Sequence, residues 1–211
     1  MMYDFGNAQL IGEREHQSNY FSVLSSGGSM LAVLADGHTD SKSGKYAAVL
    51  AVEVFKHEYR SGVFRETGMR RFFSRTFKKI EKNIKGNIYN SDIAAATAAV
   101  IIDNGFLHFA AACGKMYGNS LLLYRQRNLV ELSGKDAGSG IQISRFKLKK
   151  DDIIMLASKG AVRSLTEIEI ISHISKQMHP YDKCQCLAGI IRQKKLKSQF
   201  NATMIILENL I

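Results

Sequence analysis

The chain has 211 residues, 45% of them hydrophobic, one Pro, and a formal net charge of +10 from 29 Lys and Arg against 19 Asp and Glu. That length and apolar content suit a single buried core, so one domain over 1–211 is expected, and the composition excludes a disordered or low-complexity chain. No apolar run approaches a membrane span and residues 1–10 carry no readable secretory signal, which leaves a cytoplasmic protein as the expectation.

Taken in order, residues 14–19 precede a weakly alternating run at 20–24, then Ser25-Ser-Gly-Gly28, a hairpin signal. The second arm, 30–37, is an apolar run that ends on Asp36 and Gly37. Six consecutive apolar residues, 30–35, are too few for a helix but suit a strand buried on both faces, and the glycine after Asp36 frees the backbone to turn. Asp36 is either a plain strand-end cap or the first ligand of an oxygen-only metal site. Residues 41–59 place Ala47, Ala48, Leu50, Ala51, Val54 and Phe55 on a helical stripe, with Asp40 or Ser41 as the N-cap.

The stretch 60–85 then repeats apolar residues, Met69, Phe72, Phe73, Phe77, Ile80 and Ile84, at helical spacing, while Arg70, Arg71, Arg75, Lys78, Lys79 and Lys82 fill the gaps. A core-packing helix with a solvated basic face is the plain reading, and a dedicated binding surface the sharper one. Charge alone favours acidic partners in general.

Residues 95–103 and 106–113, around Asp103-Asn-Gly105, form a second predicted hairpin. Residues 120–125 with 129–132 form a third, and 141–148 with 152–157 a fourth. Residues 166–178 and 181–195 are amphipathic helices punctuated by Pro180, and 202–207 is a closing buried strand. Cys113, Cys184 and Cys186 are odd in number without a matching Cys or His cluster, so neither a disulfide framework nor a zinc site is expected. Strands, two helices, many strands, two helices and a strand exclude a regular βαβ alternation. The order predicts an α+β fold, a layered α-β-β-α sandwich of two antiparallel sheets flanked by helix pairs.

In that order the chain resembles the metal-dependent protein phosphatases of the protein phosphatase 2C (PPM) type along nearly its whole length. Residues 14–19 stand where that family has Arg-x-x-Asn-Glu-Asp, and Asp36-Gly37-His38 matches its Asp-Gly motif. Gly44 to Ala47 matches the glycine and alanine of the following helix, and Ala95-Ala-Thr97 resembles Gly-Thr-Thr. Residues 150–160, ending Ser158-Lys159-Gly160, resemble the Gly-Asp and Ser-Asp-Gly strand, and Phe200-Asn201-Ala-Thr203 resembles Asp-Asn-x-Thr. Only 134–140 stands where common members insert a flap, so the resemblance is to the compact, flap-less bacterial branch.

The family holds two Mg²⁺ or Mn²⁺ ions that lower the pKa of a bridging water for attack on phosphoserine or phosphothreonine. Several carboxylates are required, because two dications repel each other and need anionic oxygen. Here the Glu-Asp pair is Ser18-Asn19, the Ser-Asp-Gly aspartate is Lys159, and the Asp-Asn aspartate is Phe200. The Gly-Asp-Ser aspartate falls on Lys115 or on Asn119, depending on where the turn is cut. Asp36, with the Gly37 carbonyl, is what survives. Either Lys159 occupies the vacated metal position and pairs with Asp36, or it reaches solvent and Asp36 caps a turn.

Arg14 matches the arginine that grips the substrate phosphate, and a guanidinium fork suits phosphate oxygens. His38 stands where many members carry a histidine proposed as general acid, although without a metal-bound nucleophile it has nothing to assist. His108 reads as a strand residue. No metal cofactor and no catalytic residue is therefore expected, with Asp36, Gly37 and His38 vestigial. A pseudophosphatase that binds an acidic or phosphorylated protein follows, with nucleic acid not favoured. The rival is weak Mn²⁺- or Mg²⁺-dependent phosphoserine or phosphothreonine hydrolysis through Asp36.

Overall fold

Ten strands and six helices are seen in the computed structural model, which describes residues 3–37, 42–87, 95–112, 118–133 and 141–209. In chain order they are β1 (Tyr3–Leu10), β2 (Asn19–Ser26), β3 (Ser29–Gly37), α1 (Lys42–Arg60), α2 (Val63–Thr67), α3 (Met69–Asn87), β4 (Ala95–Asp103) and β5 (Phe106–Ala112). Then come β6 (Ser120–Arg125), β7 (Asn128–Glu131), β8 (Ile141–Lys147), β9 (Ile153–Ala157), α4 (Lys159–Ser164), α5 (Glu167–Ile174), α6 (Pro180–Lys194) and β10 (Ala202–Asn209). The strands make two antiparallel sheets, ordered β1-β10-β9-β6-β7 and β2-β3-β4-β5-β8. Helices α1 and α3 cover the outer face of the second sheet, and α4, α5 and α6 lie against the first. The result is the predicted four-layer α-β-β-α sandwich.

Alternation along each strand sorts its side chains between two cores. In β3, Leu31, Val33 and Ala35 pack toward the helices, while Met30, Ala32 and Leu34 pack between the sheets. In β4, Ala99 and Ile101 face the helices and Ala98, Val100 and Ile102 the other sheet. Burial on both faces is why these strands read as unbroken apolar runs. Phe55, Phe72, Phe73 and Phe77 fill the helix-side core, with Phe55 and Phe77 edge to face at 5.2 Å between ring centroids.

Several expectations need correction. The basic stretch is two helices, because Gly62 and Gly68 adopt φ of 72° and 78°, positive-φ backbone that glycine tolerates and that breaks the chain out of helix at each position. Residues 141–148 and 152–157 do not form a hairpin: β8 pairs with β5, whereas β9 lies between β10 and β6 in the other sheet. The link between them is pinned, since Asp152 is 3% exposed, accepts from Arg125 Nε at 2.8 Å and Nη2 at 2.6 Å, and accepts from the Lys149 amide at 2.7 Å.

Strand β1 carries Gly6 and Asn7, weak strand formers, and gave no signal in sequence. Its register is set by pairing with β10, and a Cβ on Gly6 would lie 2.1 Å from the Pro180 backbone of α6. Lys159 starts the unpredicted helix α4 and does not continue strand β9. The predicted N-cap at Asp40 or Ser41 and the flap position at 134–140 lie outside the described residues. No helix among the described residues is long and apolar enough to cross a membrane.

Candidate functional site

The core between the sheets ends in a polar layer, and strand alternation shows how it arises. In each of five strands, the inward-facing position two residues beyond the apolar core is polar. Phe21 leads to Asn19 in β2, Leu34 to Asp36 in β3, Leu121 to Asn119 just before β6, Leu156 to Ser158 just after β9, and Ile205 to Thr203 in β10. Asn19, Asn119, Ser158, Asn201 and Thr203 are all at least 96% buried, a burial that polar side chains tolerate only when hydrogen bonded.

Those bonds stitch the two sheets together. Asn19 Nδ2 donates to Thr203 Oγ1 at 3.1 Å and to the Asn201 carbonyl at 3.3 Å. Gln9 Nε2 donates to the Asn19 carbonyl at 2.9 Å, and the Thr203 amide donates to Ser158 Oγ at 2.9 Å. Asn201 Nδ2 donates to the His16 carbonyl at 2.8 Å and Ser18 Oγ at 3.2 Å, which fixes the loop that carries Arg14. Asn119 Nδ2 donates to the carbonyls of Leu34 at 3.1 Å and Ala96 at 2.9 Å.

Asp36 sits in the middle of this layer. Its direct cross-strand partners are Asn19 in β2 and Ala96 in β4, and Asn119 reaches the latter's carbonyl. Burial pushes the Asp36 carboxyl up to about 6, although the Lys159 ammonium, and after it the Arg14 guanidinium, pull in the opposite direction. Of the two charges that act on Asp36, Lys159 has the larger effect and Arg14 the smaller. Gly37 remains within β3 and makes no turn there. Its lack of a side chain is steric, because a Cβ would lie 2.2 Å from the Gly44 carbonyl oxygen of α1. Gly160 is constrained likewise, with the Asn201 carbonyl oxygen 2.1 Å from the position of a Cβ.

Outside the polar layer, three cations surround one aromatic ring. Arg14 Cζ lies 4.9 Å, Arg163 Cζ 5.6 Å and Lys159 Nζ 5.7 Å from the Phe200 ring centroid. The negative face of the ring and the Asp36 carboxylate partly offset these positive groups, and the local balance is cationic.

The expected positions Arg14, Asn19, Asp36, Gly37, Lys159 and Phe200 converge on this end of the sandwich. His38 and Lys115 lie outside the described residues; of the two candidates for the Gly-Asp-Ser position, Asn119 is the one described. His108 is indeed in β5, remote from the network, and its burial lowers its pKa. Arg163, Ser158 and Thr203 were not singled out as site residues in sequence. A polar residue two positions beyond the end of an inward-facing apolar series, as in these five strands, is the signal that would have found the last two.

As a metal site this donor set is poor in charge. The polar layer offers one carboxylate, and among the described residues no group of three or more His, Cys, Asp or Glu is placed to hold an ion. Asn19 Oδ1 and Asn119 Oδ1 are buried with no hydrogen-bond partner among the described residues, but an amide oxygen carries no charge with which to balance a second dication. The described residues do not fit a pair of Mg²⁺ or Mn²⁺ ions.

No family model matches the chain, and no curated protein sequence matches it. Solved structures do. The serine/threonine phosphatase of Streptococcus agalactiae superimposes with a TM-score of 0.82 at 14% identity, over 98% of this chain and 99% of that one. The Mycobacterium tuberculosis serine/threonine phosphatase PstP/Ppp does so with 0.81 at 12% identity, over 99% of each chain. The PstP catalytic domain in complex with two manganese ions gives 0.78 at 12% identity, over 98% of this chain and 97% of that one. PppA, a regulatory component of the type VI secretion system of Pseudomonas aeruginosa, gives 0.71 at 15% identity, over 99% and 98%. The chain has the fold of the protein phosphatase 2C-type serine/threonine phosphatases.

Proposed function

We propose that this chain, a protein phosphatase 2C-type fold, binds a phosphorylated or acidic protein at its cation-lined end without hydrolysing it, as a regulatory module in phosphoprotein signalling. The observation that carries the reading is the charge of the site: one carboxylate, Asp36, acted on by Lys159 and Arg14, with buried asparagines on either side of it. Generating hydroxide from bound water at neutral pH requires metal, and a metal pair requires carboxylates that Asn19, Lys159 and Phe200 do not supply. Phosphate requires the opposite. Arg14 and Arg163 bring planar forks and Lys159 a point charge to the rim around Phe200, and charge-assisted hydrogen bonds to an oxyanion are the strong ones.

Regulatory settings are attached to two of the structural neighbours, PppA and a protein described with the bacterial stressosome. The test is calorimetry with a phosphoserine peptide and its unphosphorylated twin, together with phosphate release in the presence of Mn²⁺. Binding that requires the phosphate, falls about tenfold or more in Arg14→Ala, and is accompanied by no phosphate release supports the reading. Catalytic release of phosphate with Mn²⁺ that disappears in Asp36→Asn replaces it with the weak metal-dependent phosphatase.

A further inference from the structure

The excess positive charge of the chain is concentrated in one layer. Residues 42–87, which form α1, α2 and α3, hold twelve Lys and Arg against four Glu, a net +8 of the whole chain's +10. On α3 these charges form a line. Arg71, Arg75, Lys78 and Lys82 are exposed and separated by four, three and four residues, so they stack along one ridge of the helix over about 16 Å. The opposite face is consumed by the core through Phe72, Phe73, Phe77 and Ile80, all at most 5% exposed.

Two neighbouring cations on α3 are already neutralised. Lys79 is engaged by Glu58 and Lys85 by Glu81, both at 2.6 Å. Among the described residues no acidic side chain pairs with Arg71, Arg75, Lys78 or Lys82. Like charges at i,i+3 and i,i+4 repel, so this ridge raises the energy of the isolated helix and is relieved by an anionic partner.

We infer that this ridge of α3 docks an acidic α-helical segment of a partner protein. Carboxylates in the same four-three spacing on a facing helix rise in steps of about 6 and 4.5 Å, in register with the cations, the arrangement by which flanking charges pair in coiled coils. A membrane surface is the poorer match, because an interfacial helix must bury an apolar face and the apolar face of α3 is already inside the protein. Nucleic acid is poorer too, since none of the exposed large hydrophobic side chains lies on α3 and a base has nothing to stack on. The ridge lies on the helix layer, away from the polar layer between the sheets, so it stands or falls independently of the Arg14 site.

The full chain is titrated with an alanine-based helical peptide carrying glutamates in four-three spacing and with the same composition scrambled. A short DNA duplex and vesicles of phosphatidylserine and phosphatidylcholine complete the set. The patterned peptide should bind about tenfold more tightly than the scrambled one, and Arg75→Gln/Lys78→Gln/Lys82→Gln should lose about tenfold and flatten the salt dependence. Lys79→Gln, whose charge is already paired, should change binding little, and the triple variant should melt no lower than the unaltered chain, because it removes like-charge repulsion from exposed positions. Equal binding of the two peptides, tighter binding of duplex or vesicle, no binding of the patterned peptide, or a triple variant that binds undiminished would each overturn the assignment.

Discussion

Replacing Asp36 by Asn should stabilise the protein at neutral pH, against the usual expectation for a residue at the centre of a functional site. The carboxyl has a native pKa of about 6 against 3.8 when free. The folded state therefore holds the proton more tightly, and between those values stability falls as pH rises. Above pH 6 the full cost of keeping a buried carboxylate ionised is present, ~3 kcal/mol for this displacement. Asparagine mimics the protonated carboxyl, so the figure already includes the lost attraction to Lys159 and Arg14. For a chain of this size the gain corresponds to roughly 6–12 °C in melting temperature. Urea denaturation of both proteins at pH 7.5, 6 and 4 measures it: the advantage of Asp36→Asn should be largest at pH 7.5 and mostly lost by pH 4. A destabilised variant at pH 7.5, or an advantage that does not change with pH, refutes the balance of burial and charge described for this site.

Lys159→Ala should lower stability at pH 7.5 by about 1 kcal/mol and have little effect in the Asp36→Asn background, a non-additivity that a double-mutant cycle reads directly. Gly37→Ala should cost about 3 kcal/mol or more in chemical denaturation, because its Cβ would meet the Gly44 carbonyl oxygen at 2.2 Å, backbone against backbone. Asp152→Ala should cost roughly 3–5 kcal/mol, since it leaves the Arg125 guanidinium and the Lys149 amide without the carboxylate that ties β6 to the β8–β9 link. Burial pushes the Cys184 thiol up to about 12, so in a timed alkylation at pH 8 read by mass spectrometry it should label far more slowly than the partly exposed Cys186 until denaturant is added.

Much of the fold was legible because most strands sit between two apolar layers or end in turn residues. The apolar run at 30–35 and the Asn104-Gly105 turn, at φ of 48° and 76°, are examples. Illegible were the features set by distant partners. Gly6 and Asn7 interrupt the strand pattern begun by Tyr3 and Phe5 until β10 is alongside to set it, and nothing local says that the tight link at 149–152 crosses between sheets. Within the site, the residues at Arg14, Asn19, Asp36, Lys159 and Phe200 were readable one by one. Their physical relation was not, because the gathering of Arg14, Lys159 and Arg163 round one ring joins three segments far apart in sequence. The reason for Gly37 was misread for the same cause: the close approach that demands it comes from α1, not from a turn of its own.

Titration of Mn²⁺ into the chain by calorimetry tests the central claim most directly. A site with one carboxylate, two attendant cations acting on it and uncharged amides on either side should take up no pair of ions, and Lys159→Asp, which restores an anion where the ammonium now lies, should increase uptake. Two manganese ions bound per chain at micromolar concentration by the unaltered protein would contradict the account.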